Sequence, residues 1–149
     1  MTTIAWDGKT LASDSCSWSG GVRRKVKKCF VVEREGRKIL VAFSGSGSYC
    51  TQVLKWMTGE SDRPNPSDYF DKENISGQCA VVIDDELKVW ALGNDLVYME
   101  MCEEKFAYGA GQDIAWGALE AGASSIMAIE ISIKRSDYAG IGIDYVSFE

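Results

Sequence analysis

The most informative absence in this chain of 149 residues is histidine, of which there is none. Without an imidazole, the protein cannot build a Ser-His-Asp or Cys-His catalytic arrangement, a histidine-ligated zinc site or a histidine proton shuttle. If the protein is an enzyme, its general base must therefore be another group.

Other scarcities exclude further classes of protein. The chain has only 2 prolines, which argues against a proline-rich linker or a disordered chain. No apolar run approaches the roughly 18 residues that a membrane span needs. The start of the chain has neither a basic segment nor a long apolar segment, so we expect no secretory signal and no membrane association.

Five cysteines are present, and none forms a Cys-x-x-Cys pair. An odd number of cysteines without a secretory signal predicts free thiols in a reducing compartment, and hence a cytoplasmic protein. We expect most of them to act as small core residues. They are Cys16, Cys29, Cys50, Cys79 and Cys102.

The length and composition are typical of one globular domain, which we predict over 1–149. The net charge of −6 argues against a general nucleic-acid footprint. The run Arg-Arg-Lys-Val-Lys-Lys at 23–28 is a local exception. It is typical of a solvated turn before a strand, although contact with an acidic partner or a catalytic role for one lysine is also compatible with it.

The hydrophobic pattern predicts strands and helices in separate groups. Strands are expected at 2–6, 9–14, 26–33, 38–44, 78–83, 86–92, 96–101 and 106–108, with a last strand in 138–146. Helices are expected at 49–57, 112–121 and 126–133, whereas 13–21 and 58–76 are predicted as loops. Because strands and helices do not alternate, an α+β fold with mainly antiparallel sheets is favoured over a doubly wound parallel sheet.

With histidine absent, the chemistry most compatible with the chain is that of an amino-terminal nucleophile. A terminal threonine attacks a carbonyl, and its own α-amine, with a pKa of about 7.7–8.0, serves as the base. Thr2 meets the first requirement, because its small side chain permits removal of Met1. An amine on Met1 could not act as the base for Thr2.

Several short motifs follow one another along almost the whole chain. They are Thr-Thr-Ile-Ala at 2–5, Ala-Ser-Asp at 12–14, Val-Lys-Lys at 26–28, Val-Ala-Phe-Ser-Gly at 41–45, Ala-Tyr-Gly-Ala-Gly at 107–111 and Tyr-Ala-Gly-Ile-Gly-Ile-Asp at 138–144. In this order and spacing they resemble the motifs of proteasome β-type subunits, most strongly those of HslV-type peptidases and of small proteasome-like proteins of bacteria and phages.

The resemblance implies a four-layer αββα sandwich with two antiparallel sheets, and a role for particular residues. Thr2 would be the nucleophile, Lys28 the catalytic lysine and Asp14 the aspartate that pairs with it. A buried Lys28 cation would lower the pKa of the Thr2 hydroxyl and amine. A backbone N–H in the turn from Gly45 to Gly47 would supply the oxyanion hole.

The resemblance also implies partners. It suggests a homo-oligomer built as a ring or stacked rings, a peptide or protein substrate and an ATPase as a possible partner. It implies no cofactor or metal. For a phage-encoded protein, the expected location is the cytoplasm of the bacterial host.

The chain departs from the family pattern at the positions that normally assist proton movement. Ala110 stands where the family has a serine, Ser136 stands where it has an aspartate, and Ala139 stands where it has another serine. A shift of one residue would restore Asp137 as the acid but would misplace Tyr138. Two hypotheses therefore stand, a threonine peptidase or amidohydrolase and a catalytically silent assembly or binding protein on the same fold.

Overall fold

A computed structural model describes residues 2–136 and 140–149 of the chain. It is a mixed α+β fold with three α-helices and antiparallel sheets. The strands are β1 (Thr3–Trp6), β2 (Thr10–Asp14), β3 (Cys16–Ser19), β4 (Val22–Lys25), β5 (Cys29–Arg34), β6 (Arg37–Phe43), β7 (Gln78–Ile83), β8 (Val89–Gly93), β9 (Tyr98–Met101), β10 (Phe106–Gly109) and β11 (Ile143–Ser147). The helices are α1 (Gly47–Thr58), α2 (Gln112–Glu120) and α3 (Ser125–Arg135), with a 3-10 turn at Pro66–Asp68.

One sheet has four strands in the order β10-β1-β2-β11, all antiparallel. Its central hairpin, β1–β2, turns at Asp7 and Gly8. The Asp7 carboxylate accepts hydrogen bonds from the backbone N–H groups of Lys9 (2.9 Å) and Thr10 (2.8 Å). Gly8 adopts a φ of 99°, a conformation that glycine reaches without steric cost.

The second sheet has five strands in the order β5-β6-β7-β8-β9, joined by successive antiparallel pairs. Strands β3 and β4 pair only with each other among the described residues and form a separate hairpin. Short connections join most of these pairs, because antiparallel neighbours need only a tight turn between them, whereas residues 44–77, which include α1, connect β6 to β7.

Three clusters of buried residues hold these elements together. One cluster joins α1 to the five-stranded sheet, through side chains such as Val53 of the helix and Val82 of the sheet. A second contains residues of both sheets, including Trp6 and Leu40. The third joins the four-stranded sheet to α2 and α3 through small and apolar side chains that include Ala5, Ala115 and Ile129.

The ends of the helices follow from local sequence. Ser124 precedes α3, and its hydroxyl accepts a hydrogen bond from the N–H of Met127 (3.1 Å). The Asp7 carboxylate accepts another from the N–H of Ser125 (2.8 Å), so it links the β1–β2 turn to the positive end of α3. In the described ranges, no helix combines the length and the apolar character that crossing a bilayer requires.

The structure differs from the sequence predictions mainly between residues 13 and 28. The segment predicted as a loop forms the hairpin β3–β4, and residues 26–28, predicted to begin a strand, precede β5 instead. The hairpin is mostly exposed, so it lacks the alternation of buried and exposed positions that identifies a strand in a sequence. The other predicted strands and helices are observed with boundaries shifted by a few residues; the described part of the last one is β11.

Candidate active site

The ends of two strand pairs, one from each of the two larger sheets, meet at one place in the fold. Because β1 and β2 are antiparallel, the start of β1 and the end of β2 lie side by side, with Ile4 opposite Ser13. Because β5 and β6 are also antiparallel, the start of β5 lies beside the end of β6, with Cys29 opposite Ala42. Residues that flank these ends are therefore brought together although they are distant in the chain.

Asp14, the last residue of β2, is fully buried and has hydrogen-bond donors on both carboxylate oxygens. Oδ1 accepts from the N–H of Thr3 (2.9 Å) and from Lys28 Nζ (3.1 Å). Oδ2 accepts from the N–H of Cys16 (3.2 Å) and of Gly140 (3.4 Å). A buried carboxylate is stable in its charged form when donors and a cation surround it in this way.

Lys28 places its ammonium group between Asp14 and Thr2. Its Nζ lies 3.1 Å from Asp14 Oδ1 and donates a hydrogen bond to Thr2 Oγ1 at 3.0 Å. Only 7% of the Lys28 side chain is exposed, so the charge is largely withdrawn from water. A desolvated cation beside a hydroxyl stabilises the alkoxide that the hydroxyl forms on losing its proton.

Thr2 is held by the segment Gly-Ala-Gly at 109–111. The N–H of Ala110 donates to the carbonyl oxygen of Thr2 (2.8 Å), and the N–H of Gly111 donates to Thr3 Oγ1 (3.0 Å). A side chain at Gly109 would collide with the backbone of Thr2, and one at Gly111 would collide with the side chain of Thr3. The two glycines are therefore needed for the close approach of this segment to β1.

A cavity of about 230 Å³ opens beside Thr2 and Lys28. Gly45 and Gly47 line it, at the turn that leads into α1. The first N–H groups of a helix have no acceptor within that helix, so they are available to a negatively charged atom. The apolar part of the wall consists of Val26, Phe30, Phe43 and Leu54, together with Cys50.

Two thiols near the site, those of Cys50 and Cys29, are poor nucleophiles. Burial raises the pKa of Cys50, in the wall of the cavity, and of Cys29, directly after Lys28, to about 12 in each case. A thiol with so high a pKa carries almost no thiolate near neutral pH. In the part of the chain that the structure describes, no group of three or more acidic or cysteine side chains is arranged to hold a metal ion.

The structure brings together Thr2, Asp14 and Lys28, and sets Gly45 and Gly47 on the wall of the same cavity. Ala110 contacts Thr2 through its backbone, and Ser136 follows α3, where its N–H donates to the carbonyl of Ser132 (2.8 Å). Asp137 and Ala139, like Met1 and Tyr138, lie outside the described residues.

Sequence reasoning missed two contributors to the site. Gly140 donates its N–H to Asp14, as described above, and Asp144 accepts hydrogen bonds from the backbone N–H groups of Lys28 and Cys29, both at 2.8 Å. Asp144 is a polar residue between apolar neighbours in a strand, and that pattern alone does not reveal an acceptor for a distant backbone. The contacts depend on how β11 pairs with β2.

The fold corresponds to that of proteasome-like proteins. No protein-family model matches the chain, and no curated protein matches its sequence significantly. Solved structures of Anbu, a proteasome-like family, do match the fold over the whole chain at low sequence identity. The predicted resemblance to proteasome-like proteins is thus confirmed at the level of the fold.

Three of these structures illustrate the match. Anbu from Hyphomicrobium sp. strain MC1 is 14% identical with a TM-score of 0.70, over 100% of this chain and 82% of that chain. Anbu (ancestral beta-subunit) from Yersinia bercovieri is 11% identical with a TM-score of 0.69, over 98% of this chain and 80% of that one. The Anbu complex from Pseudomonas aeruginosa, solved as a helical assembly, is 11% identical with a TM-score of 0.68, over 100% and 81%.

Proposed function

We propose that the protein is a threonine-type peptidase or amidohydrolase whose nucleophile is Thr2 after removal of Met1. The observation that carries the proposal is the buried ammonium group of Lys28, which lies 3.0 Å from Thr2 Oγ1 and 3.1 Å from Asp14 Oδ1. A lysine in solvent requires no buried carboxylate as a partner. A lysine that lowers the pKa of a hydroxyl must be held beside that hydroxyl.

The reaction begins with attack of Thr2 Oγ1 on the carbonyl carbon of an amide. The α-amine of Thr2, with a pKa of about 7.7–8.0, takes the hydroxyl proton, while the Lys28 cation stabilises the developing alkoxide. The tetrahedral intermediate then expels the amine, which leaves with that proton. A water molecule hydrolyses the resulting ester and releases the acid, which regenerates the Thr2 hydroxyl.

The negative charge on the intermediate needs donors of its own. We assign this role to the backbone N–H groups of Gly45 and Gly47, which line the cavity beside Thr2 at the start of α1. Donors that already point at the place where charge develops need no reorganisation during the reaction. Gly45 has a φ of 94°, so a side chain there would strain the turn that presents them.

The wall of the same cavity suggests the substrate. Its largest side chains are apolar, so a peptide with an apolar side chain next to the scissile bond would bury that side chain beside Thr2. We therefore propose a peptide or protein substrate with an apolar residue before the cleaved amide. An ATPase that delivers such substrates is compatible with the proposal and is not required by it.

We further infer that the three core clusters separate four layers in αββα order within one domain of 1–149. We also propose that the protein assembles into homo-oligomers in the bacterial cytoplasm. The Anbu complex from Pseudomonas aeruginosa was solved as a helical assembly, so an open helix is an alternative to a ring or to stacked rings. Native mass spectrometry would distinguish a closed set of subunits from an open series.

The proposal is tested in two steps. Mass spectrometry of the intact protein from its native host should show the loss of Met1, because a retained Met1 leaves Thr2 without its amine. Thr2→Ala and the isosteric Thr2→Val should then abolish turnover of a short peptide amide, whereas Thr2→Ser should retain part of it. Equal turnover in wild type and Thr2→Val would refute the assignment of the nucleophile.

One observation favours the second candidate function, a silent assembly or binding protein. Ala110 provides only a backbone N–H to Thr2, where the family pattern has a serine hydroxyl. A protein that retains Met1, does not hydrolyse peptide amides and still forms the homo-oligomer would support this function. Turnover that depends on the Thr2 hydroxyl would exclude it.

A further inference from the structure

A carboxylate on the last strand holds the backbone of the candidate catalytic lysine. Asp144 lies on β11, opposite Ser13 of β2. Its Oδ2 accepts hydrogen bonds from the N–H groups of both Lys28 and Cys29, each at 2.8 Å. One oxygen atom therefore anchors two consecutive residues of the segment that carries the ammonium group.

The same segment is anchored on its opposite side. The carbonyl oxygen of Lys28 accepts a hydrogen bond from the N–H of Phe43 (3.0 Å), at the end of β6. Without Asp144, the segment would keep this bond but lose the hydrogen bonds of the Lys28 and Cys29 N–H groups to the four-stranded sheet, so only side-chain contacts such as Lys28 Nζ to Asp14 would link it there. Asp14 ends β2 of that four-stranded sheet and Thr2 directly precedes β1, whereas Lys28 leads into the five-stranded one. Asp144 thus joins the two halves of the site.

The two oxygens of Asp144 face different surroundings. Oδ1 lies 3.7 Å from Nζ of Lys27, whose side chain is 60% exposed, whereas only 16% of the Asp144 side chain is exposed. An exposed ion pair at that distance contributes little, because water and salt screen it. The two short backbone hydrogen bonds of Oδ2 are the stronger interaction, since a charged acceptor strengthens each of them.

We propose that Asp144 is a positioning residue for the reaction, which sets Lys28 Nζ against Thr2 Oγ1 by fixing the Lys28–Cys29 backbone from the opposite sheet. This inference rests on the proposed function of Thr2. It assigns Asp144 no contact with the substrate. Its consequence is that turnover depends on an oxygen acceptor at this position more than on the negative charge.

The matched variants are Asp144→Ala, which removes the acceptor, and Asp144→Asn, whose amide oxygen can accept the same two bonds. We expect Asp144→Ala to lower kcat by roughly 10- to 100-fold with KM nearly unchanged, since small displacements of catalytic groups have effects of this size. Asp144→Asn should restore kcat to within about threefold of wild type. If Asp144→Ala does not fold, Asp144→Glu replaces it, because its longer side chain displaces the backbone and should also lower kcat.

Asp7 offers a control for a purely structural effect. Its carboxylate also accepts backbone N–H bonds, but at the opposite end of the hairpin β1–β2. Asp7→Ala should lower the thermal midpoint as Asp144→Ala does, yet leave kcat unchanged at a temperature where both proteins are folded. If Asp144→Ala and Asp144→Glu keep the kcat of wild type, as Asp7→Ala does, the inference is overturned.

A measurement that needs no turnover separates this inference from the proposed function. Labelling the lysine side chains with ¹⁵N gives an NMR signal for the Lys28 ammonium group, identified by its loss in Lys28→Arg. The signal should move in Asp144→Ala and return towards its wild-type position in Asp144→Asn. An unmoved Lys28 signal in Asp144→Ala would overturn the inference even in an active enzyme. A moved signal in a protein without turnover would refute only the function proposed for Thr2.

Discussion

The two ends of the hairpin β1–β2 share one feature and differ in another, namely a carboxylate bound by backbone N–H groups at both ends and a lysine bound to that carboxylate at one end only. At each end a carboxylate accepts hydrogen bonds from backbone N–H groups. Asp7 at the turn accepts hydrogen bonds from the backbone N–H groups of Lys9, Thr10 and Ser125. Asp14 at the open end takes bonds from Thr3, Cys16 and Gly140, and in addition from Lys28 Nζ.

The lysines at the two ends behave differently as well. Lys9 Nζ lies 3.8 Å from a carboxylate oxygen of Glu149, and its side chain is 72% exposed. Lys28 is buried between Asp14 and Thr2. Burying an ammonium group is costly even when it is paired, and a structural end of the hairpin needs no such group. The comparison therefore separates an end that only holds the fold together from one suited to chemistry.

The largest change in the free energy of unfolding is expected when Asp14 is removed. We expect Asp14→Ala to lower the free energy of unfolding by about 3–5 kcal/mol, because it leaves the Lys28 cation buried without its carboxylate. The double variant Asp14→Ala/Lys28→Met should recover much of this loss but should not turn over a peptide amide. Urea unfolding measures both, and equal stability of the single and double variants would contradict the explanation.

The next largest effect should come from Gly109. Gly109→Ala introduces a side chain at a φ of 108° against the backbone of Thr2, so we expect a loss of at least about 2 kcal/mol in unfolding free energy. Gly117→Ala in α2 is the matched control, since no atom lies within 4 Å of the added carbon. It should stabilise the protein by about 0.5–1 kcal/mol. Similar losses for both variants would show that crowding at Thr2 is not the cause.

Asp7 tests the structural end of the hairpin through pH. Burial raises the pKa of its carboxyl, but the hydrogen bonds from the Ser125, Thr10 and Lys9 backbones outweigh this, so the net pKa is below its ordinary value. The charged form therefore stabilises the fold above the unfolded pKa of about 3.9, and that stability is lost as the pH falls through the lower folded pKa. Asp7→Asn should cost about 1 kcal/mol near neutral pH.

The difference in unfolding free energy between wild type and Asp7→Asn should shrink as the pH falls below about 4, where the carboxyl becomes protonated. Urea unfolding over a series of pH values measures it. A difference that stays constant into acid would show that the charge of Asp7 contributes nothing. Turnover of a peptide amide should remain unchanged at neutral pH, in contrast to the Asp14 variants.

The smallest effect is expected at Lys9. Lys9→Ala removes an exposed ion pair with Glu149, so the free energy of unfolding should change by less than about 0.5 kcal/mol. Its backbone N–H, which binds Asp7, is retained. Thermal unfolding at low and high salt would check this, and a clear salt-dependent loss would mean that the structural end also depends on a lysine.

Much of the site could be predicted from the sequence because the family motifs carry it. Thr2, Asp14 and Lys28 are singled out by short motifs at strand ends, and an antiparallel pairing of β1 with β2 brings the ends at Thr2 and Asp14 together, whereas the place of Lys28 depends on how the two sheets pack. The roles of Gly140 and Asp144 could not be predicted, because they depend on the register between β11 and β2. The hairpin β3–β4 was not predicted because most of its side chains are exposed, so its sequence does not alternate between buried and exposed positions.

The amino-acid composition alone limits the chemistry that is available to this protein. The chain contains no histidine, so a base must come from an amine or a carboxylate, and its grouped strands and helices favour an α+β fold. The burial of the Lys28 ammonium group between Thr2 and Asp14, rather than in solvent with its neighbours in the basic run, depends on the fold of the whole chain. The burial of Lys28 and its distances to Thr2 and Asp14 result from the packing of the two sheets against each other, and no local pattern of residues predicts that packing.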